Sequence, residues 1–360
     1  MNNFDWELPY PSARQPIFAN NLVATSQPLA VQAGLSILGS GGNAVDAALA
    51  TAITLTVVEP NNNGIGSDAF ALIWDGKKLH GLNASGRSPE KLKVEHFNGQ
   101  TRMPRLGWLA VTVPGAVSAW MALSDRFGKL PFADLFQAAI GYAEKGYQVG
   151  PKTAYYWKLA ETVYQDYDAF KDTFLSSGKA PDPGDLVRLP DHAKTLTAIA
   201  NSNGSEFYSG ILAQQMVHDA QIHNAPLSLD DLSKHRPEWV SPLHQDFGDY
   251  QLHEIPPNGQ GIMALIALAI VNRCAIHKYP IDSADSIHLQ VEAIRCAYGV
   301  IERHLADPDY MKLSNAELLD PVQIEAHYRQ IDLHYTAGAG HGLGASPDTV
   351  YLTTADADGM

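Results

Sequence analysis

Thr349 stands between two contrasting stretches of chain. Residues 337–348 read AGAGHGLGASPD, with glycine at every second position from Gly338 to Gly344, and residues 349–355 read TVYLTTA, a β-rich run closing on the turn DADG. A threonine hydroxyl is a weak nucleophile unless a base takes its proton, and one such base is the residue's own α-amine, available only when the threonine begins a chain. Thr349 would then have to be freed by cleavage of the Asp348–Thr349 bond. A glycine-rich loop supplies the distorted backbone that lets the hydroxyl attack the preceding carbonyl, and a strand fixes the nucleophile once released. Glycine, serine and proline before a strand also make an ordinary connector, so spacing alone leaves both readings open.

Other candidates are weaker. His288 and Glu292 lie four apart on one predicted helix, a spacing that serves either two metal ligands or a helix-surface pair. No third ligand matches them, which favours the surface pair, and no metal is expected. There is no G-x-S-x-G elbow, H-E-x-x-H helix, Walker loop or G-x-G-x-x-G opening a helix. The glycine-rich loop leads into a strand and offers no helix N-terminus to a phosphate, so no cofactor is implied. Cys274 and Cys296, the only cysteines, sit in helical-looking stretches without metal or redox spacing and read as two buried free thiols.

The elements that must position Thr349 are largely predictable. Residues 28–38 repeat apolar side chains at helical spacing and are stopped by Gly39, Gly41 and Gly42. Asn43 and Asp46 then have the spacing of a capping box for a second helix, AALATAITLTVV, apolar on all sides and therefore a core helix. Residues 69–74 and 78–84 flank Asp75-Gly76 and predict a β-hairpin. From Ala116 to about Ala220 the pattern is mainly α. An extended stretch at 249–255 and the turn at 256–261 precede an apolar helix at 262–271 and an amphipathic helix at about 284–305. No internal repeat stands out.

The formal charge of −14, from 25 Lys and Arg against 39 Asp and Glu, repels phosphate backbones, and no basic stripe offsets it. Nucleic acid is not an expected partner. The longest uncharged apolar run, Ala47 to Val58, is far below the roughly 20 residues that cross a bilayer, and no membrane partner is expected. The first residues, MNNFDWELPYPSARQPIFANN, are acidic where a signal peptide is positive, which predicts a cytoplasmic protein.

The segment GGNAVDAALA at 41–50 resembles the hallmark stretch of the gamma-glutamyltransferase family. Similar segments continue in order: VEPNNNGIGSDAFALIW at 58–74, VTVPGAV at 111–117, FGKLPFADLFQAAIGYAEKGYQV at 127–149, LPDHAKTLTAIA, FYSG, EIPPNGQG, HLQVEAIRCAYG and ADPDY at 306–310. The family's nucleophile begins a threonine-led strand followed by a D-x-D-G-like turn, here DTVYLTTADADG. The resemblance thus places that role on Thr349, with autocleavage between Asp348 and Thr349.

The resemblance implies an α+β fold, the four-layer αββα sandwich of N-terminal-nucleophile hydrolases, incomplete in this chain. It implies that residues 1–348 are the large-subunit region of a single domain and 349–360 the first strand of the small-subunit region, the small subunit being the partner after cleavage. The implied substrate is a small-molecule gamma-glutamyl amide, attacked by Thr349 to give a γ-glutamyl ester that passes to water or an amine. Arg87 in NASGRSP matches the arginine that pairs with the glutamyl α-carboxylate through two parallel hydrogen bonds, with Arg102 and Arg105 as fallback positions. The sequence departs from the family at Ser88-Pro89 after Arg87, at Val350, at Asn258-Gly259-Gln260 and at Ser67-Asp68. These departures resemble a divergent branch that includes acylases, and an acylase for glutaryl-type amides is the rival enzyme. An uncleaved, inactive scaffold is the rival of a different class. Family members continue beyond the nucleophile, and their oxyanion-hole groups belong to the small subunit. The 360 residues alone are therefore expected to be inactive.

Overall fold

The computed structural model describes residues 17–336 and 349–360. Asp348 and the glycine-alternating loop before it lie outside the described residues. A short strand, β1 (Leu22–Thr25), leads into helix α1 (Pro28–Gly39), capped by the Gln27 side chain, which accepts from the Leu29 amide. Gly41, at φ 92°, makes the reversal that follows. Helix α2 (Ala44–Val58) starts with the expected capping box of Asn43 and Asp46. Thirteen of its fifteen residues are buried. The hydroxyls of Thr51, Thr54 and Thr56 return to backbone carbonyls at 2.7 Å, so polar side chains enter the core already satisfied. Helix α1 lies so close that a Cβ on Gly34 would overlap the Thr51 hydroxyl.

Strands β2 (Ala69–Trp74) and β3 (Leu79–Ala84) form the predicted hairpin, in the register Ala69↔Ala84 to Trp74↔Leu79. At its turn the Asp75 carboxylate accepts from the Lys77 and Lys78 amides while Gly76 takes φ 87°. Helix α3 (Ala116–Phe127) packs against this hairpin. The region that follows is mainly helical, as its pattern predicts. It comprises α4 (Gln137–Lys145), the two-residue strand β4 (Tyr147–Gln148), α5 (Pro151–Val163), α6 (Asp168–Phe174), the equally short β5 (Leu186–Val187), α7 (Pro190–Asn201), α8 (Ser205–Ser209), α9 (Ile211–Ile222) and α10 (Leu229–Lys234).

Strand β6 (Glu238–Val240) then joins the free edge of β3, and β7 (Leu243–Phe247) pairs with β8 (Tyr250–Glu254), which fills the predicted extended stretch. Helices α11 (Ile262–Arg273) and α12 (Ala284–His304) follow, then α13 (Asn315–Leu318), α14 (Pro321–Tyr328) and strand β9 (Leu352–Ala355). The fold is α+β. One core gathers α2, α4, α7 and the buried side of the first hairpin around Leu49, Ile53, Leu82, Phe136 and Leu196; a second lies mainly between α11 and α12. The described strands make four sheets of two or three strands, so the β layers of the expected sandwich are represented only in part. Cys274 is buried, and burial pushes its thiol up to about 11. Cys296, expected to be buried, is half-buried because it stands beside the solvent-facing flank of α12; both thiols are free.

Candidate active site

Strand β9 pairs with β1 antiparallel, from Leu22↔Ala355 to Thr25↔Leu352, so the entry to β9 lies beside the exit of β1. The Thr25 hydroxyl donates to the Tyr351 carbonyl at 2.8 Å and extends the pairing toward Thr349. A cavity of about 540 Å³ opens at this corner, and Thr349, Ser26, Glu59, Asn62, Lys152 and Tyr156 are among its lining residues. Its volume falls in the ~300–1,000 Å³ range of small-molecule sites. Thr349 is exposed there. Glu59, at the end of α2, is 6% exposed, and its two carboxylate oxygens accept separately from the Ser26 hydroxyl and the Asn62 side-chain amide. Those bonds are what make burial of the acid tolerable.

The strand carrying Thr349 is tied to the N-terminus of α2. The Asp356 carboxylate accepts from the Ala44 amide at 2.8 Å, and the Thr354 hydroxyl donates to the Ala44 carbonyl at 2.7 Å. The other Asp356 oxygen accepts from the amides of Asp358 and Met360, which folds the DADG turn onto the same carboxylate. A carboxylate on the free amides of a helix start is favourable for hydrogen bonding and for the helix dipole. Asp356→Ala is expected to cost about 1–2 kcal/mol and, if the chain is cleaved before Thr349 as the resemblance implies, to slow that cleavage in the full-length protein, with Asp356→Asn intermediate. Thermal unfolding and a gel time course of newly made protein check this, and wild-type behaviour in Asp356→Ala would remove the clamp from the account.

Arg87 lies elsewhere. It is not among the residues lining the cavity at Thr349; its guanidinium is 3.4 Å from Glu238, 3.7 Å from Asp307 and 3.9 Å from Asp309, and its side chain is 67% exposed. Exposed pairs at such distances are worth little individually, and they leave most of the guanidinium open to solvent. The loop holding Arg87 is pinned against the VPG turn, where the Val113 amide donates to the Arg87 carbonyl at 3.0 Å. A Cβ on Gly86 would fall onto the Val113 carbonyl oxygen, and one on Gly115 onto that of Ala84. Gly86→Ala is therefore expected to destabilise the protein by about 3 kcal/mol, read as a lowered unfolding midpoint; a loss under about 1 kcal/mol would mean that the loop moves aside freely. Arg102 and Arg105 are exposed and also lie outside the cavity.

A second hydroxyl and imidazole meet at Ser118 and His235, 2.9 Å apart. The Ser118 hydroxyl donates to the Gly115 carbonyl at 2.7 Å, so in this arrangement His235 Nε2 is the donor to Ser118 rather than a base taking its proton. Burial lowers the His235 pKa, in keeping with a neutral ring stacked on Tyr208. Tyr208 completes the unit by donating to the Pro114 carbonyl. This is a brace for the VPG turn. His288 and Glu292 are likewise engaged, His288 with the Asp332 carbonyl at 2.8 Å and the buried Glu292 with Arg295 at 3.3 Å. Among the described residues no group of three or more His, Cys, Asp and Glu could hold a metal ion.

Sequence reading missed Ser26, Glu59, Asn62, Lys152 and Tyr156. Glu59 and Asn62 stand in VEPNNNG, where an acid at the end of an apolar helix was the available signal. Lys152 and Tyr156 carried none, because only the packing of α5 brings that helix to the cavity.

The gamma-glutamyltranspeptidase family model matches residues 30–360. The chain is 33% identical over 353 residues to the glutathione hydrolase-like YwrD proenzyme of Bacillus subtilis, covering 95% of this chain and 66% of that protein, so it spans just under two thirds of that relative. The crystal structure of cephalosporin acylase from Bacillus halodurans superposes with a TM-score of 0.87 at 43% identity, covering 100% of this chain and 68% of that one. Helicobacter pylori gamma-glutamyltranspeptidase superposes with a TM-score of 0.84 at 25% identity, covering 90% of this chain and 95% of that one.

Proposed function

The chain belongs to the gamma-glutamyltranspeptidase family, and from that premise we propose that it is the nucleophile-bearing part of an autoprocessing threonine hydrolase and acyltransferase. The observation that carries the reading is the exposed Thr349 at the mouth of a small-molecule-sized cavity, on a strand clamped at both ends. In maturation, the Thr349 hydroxyl attacks the Asp348 carbonyl, the acyl bond moves from nitrogen to oxygen, and water hydrolyses the ester to leave an Asp348 carboxylate and a free Thr349 amine. In turnover, that amine takes the hydroxyl proton as Oγ attacks the substrate amide. The tetrahedral intermediate expels the leaving amine, which receives the proton, and the acyl ester passes to water or to another amine.

The acyl group is a γ-glutamyl group, or a glutaryl-type group as in the acylase reading. The acylase reading is supported by the similarity to the cephalosporin acylase of Bacillus halodurans, which at 43% identity superposes over the whole of this chain. Intact-mass spectrometry of the full-length protein tests the whole reading: a fragment beginning at Thr349 is expected, and a single uncleaved polypeptide would favour the scaffold instead.

A further inference from the structure

We propose that Asn258 is a positioning residue that holds the loop carrying Arg87 against the end of the first hairpin. Through that loop it governs how strongly Arg87 favours an acyl chain that ends in a carboxylate. The inference rests on the reading of the chain as an acyl-transferring hydrolase and on the role that the family resemblance gives Arg87. It adds to them the residue that fixes the loop in place.

Three side chains close a hydrogen-bonded ring just before Arg87. The Asn83 side-chain amide, near the end of β3, donates to Asn258 Oδ1 at 2.9 Å; Asn258 Nδ2 donates to Ser85 Oγ at 2.9 Å; and the Ser85 hydroxyl donates to Asn83 Oδ1 at 2.8 Å. Asn83 Oδ1 also accepts from the Ser85 backbone amide at 2.9 Å, turning the chain out of the strand toward Gly86 and Arg87. Each member both donates and accepts, so the bonds polarise one another. Asn258 is the member that comes from outside the hairpin, 173 positions from Ser85. It stands on an anchored turn, flanked by the buried Ile255, Pro257 and Ile262.

The loop has a second support at the VPG turn, where the Val113 amide donates to the Arg87 carbonyl and Gly86 lies against the Val113 carbonyl. Arg87 is thus hung between two turns, one held to it by backbone and the other by the Asn258 side chain. Its guanidinium leans on Glu238, which stands opposite Asn83 in the pairing of β3 with β6. The ring and the guanidinium therefore share one end of the sheet, and opening the ring lets the loop carry the guanidinium out of place. The turn Asn258-Gly259-Gln260, where the sequence departs from the family's pattern, acquires a task in this way.

The experiment uses the full-length, cleaved enzyme and compares glutaryl-p-nitroanilide with pentanoyl-p-nitroanilide, in which a methyl group replaces the carboxylate. Asn258→Ala is expected to lower the ratio of kcat/KM for the glutaryl over the pentanoyl substrate by about 3- to 10-fold, the scale of one neutral hydrogen bond. Ser85→Ala opens the same ring from its other side and is expected to do the same, whereas Ser85→Thr keeps the hydroxyl and should keep the ratio. Arg87→Met is expected to lower the ratio by about 10- to 100-fold, and adding Asn258→Ala to Arg87→Met to lower it no further. An unchanged ratio in Asn258→Ala, or an equal further fall in the Arg87→Met background, overturns the proposal. A ratio that survives Arg87→Met overturns the role of Arg87 on which the proposal rests. Hydrogen exchange around Val113, read by mass spectrometry, tells the two failures apart without any turnover. Asn258→Ala is expected to speed that exchange by about 3- to 10-fold and Arg87→Met to leave it unchanged; equal exchange in Asn258→Ala and wild type overturns the assignment of Asn258 whatever Arg87 binds.

Discussion

Thr349→Ala is expected to leave the full-length polypeptide uncleaved and to lower amide turnover by about 10⁴-fold or more, the usual scale for removing the central member of a catalytic unit. The substitution removes both the attacking oxygen and the route by which the α-amine is generated, so cleavage and turnover should vanish together. It removes no buried contact, because the side chain is exposed beside the cavity, and the unfolding midpoint should stay within about 0.5 kcal/mol of wild type, as for other surface changes. Thr349→Ser keeps the hydroxyl and should still cleave, more slowly. The decisive comparison is mass and activity on the same samples: a Thr349→Ala protein that matures or turns over substrate would place the nucleophile elsewhere.

Asp46→Ala should be the most damaging single change outside the site, at about 3–5 kcal/mol, because it removes a fully buried carboxylate that several part-buried backbone amides share. Asp46 is fully buried at the third position of α2. Its carboxylate accepts from the Asn43 amide at 3.1 Å, closing the capping box, and from the Lys129 and Leu130 amides at 3.1 and 3.2 Å, which dock the chain leaving α3 onto the start of α2. The Asn43 side chain reinforces this docking by donating to the Phe127 carbonyl at 2.6 Å. Asp46→Asn keeps one acceptor oxygen and should recover part of the loss. Thermal unfolding of the three proteins measures it, and a loss below about 1 kcal/mol in Asp46→Ala would show that water replaces the carboxylate there. The same residues anchor β9 through Ala44, so Asp46→Ala should also slow maturation.

What the sequence made legible follows from the range of the interactions involved. The capping box at Asn43 and Asp46, the all-apolar α2 and the Asp75-Gly76 hairpin were readable because each depends on residues within a few positions of one another. The limits of α11 and α12 were close for the same reason. Strand β1, Leu22–Thr25, was not readable: four residues with alternating half-burial carry little pattern, and their partner lies at the other end of the chain. Strand β6 was missed likewise, since Glu238–Val240 becomes a strand only by joining the edge of β3. Thr349 was singled out by its resemblance and its local context, and its place beside the cavity comes from the pairing of β9 with β1. Arg87 was located in sequence, but its three acidic neighbours come from β6 and from the Asp307–Asp309 turn, and nothing local foretells such a meeting. The cavity's Lys152 and Tyr156 were hidden by the same cause.

The pairing of β9 with β1 also sets a timetable. Tyr351 and Thr25 are 326 positions apart, so the corner that holds Thr349 cannot close until nearly all of the intervening chain has been synthesised and packed. Closing so long a loop is slow to begin, although the added entropic cost grows only gently with length. If the chain cleaves itself before Thr349 as proposed, it is thereby protected from doing so early, because on a growing chain that bond emerges after the helices on which its strand rests. On the proposed reading, the position of one strand pair in the order of synthesis is itself a safeguard against premature cleavage.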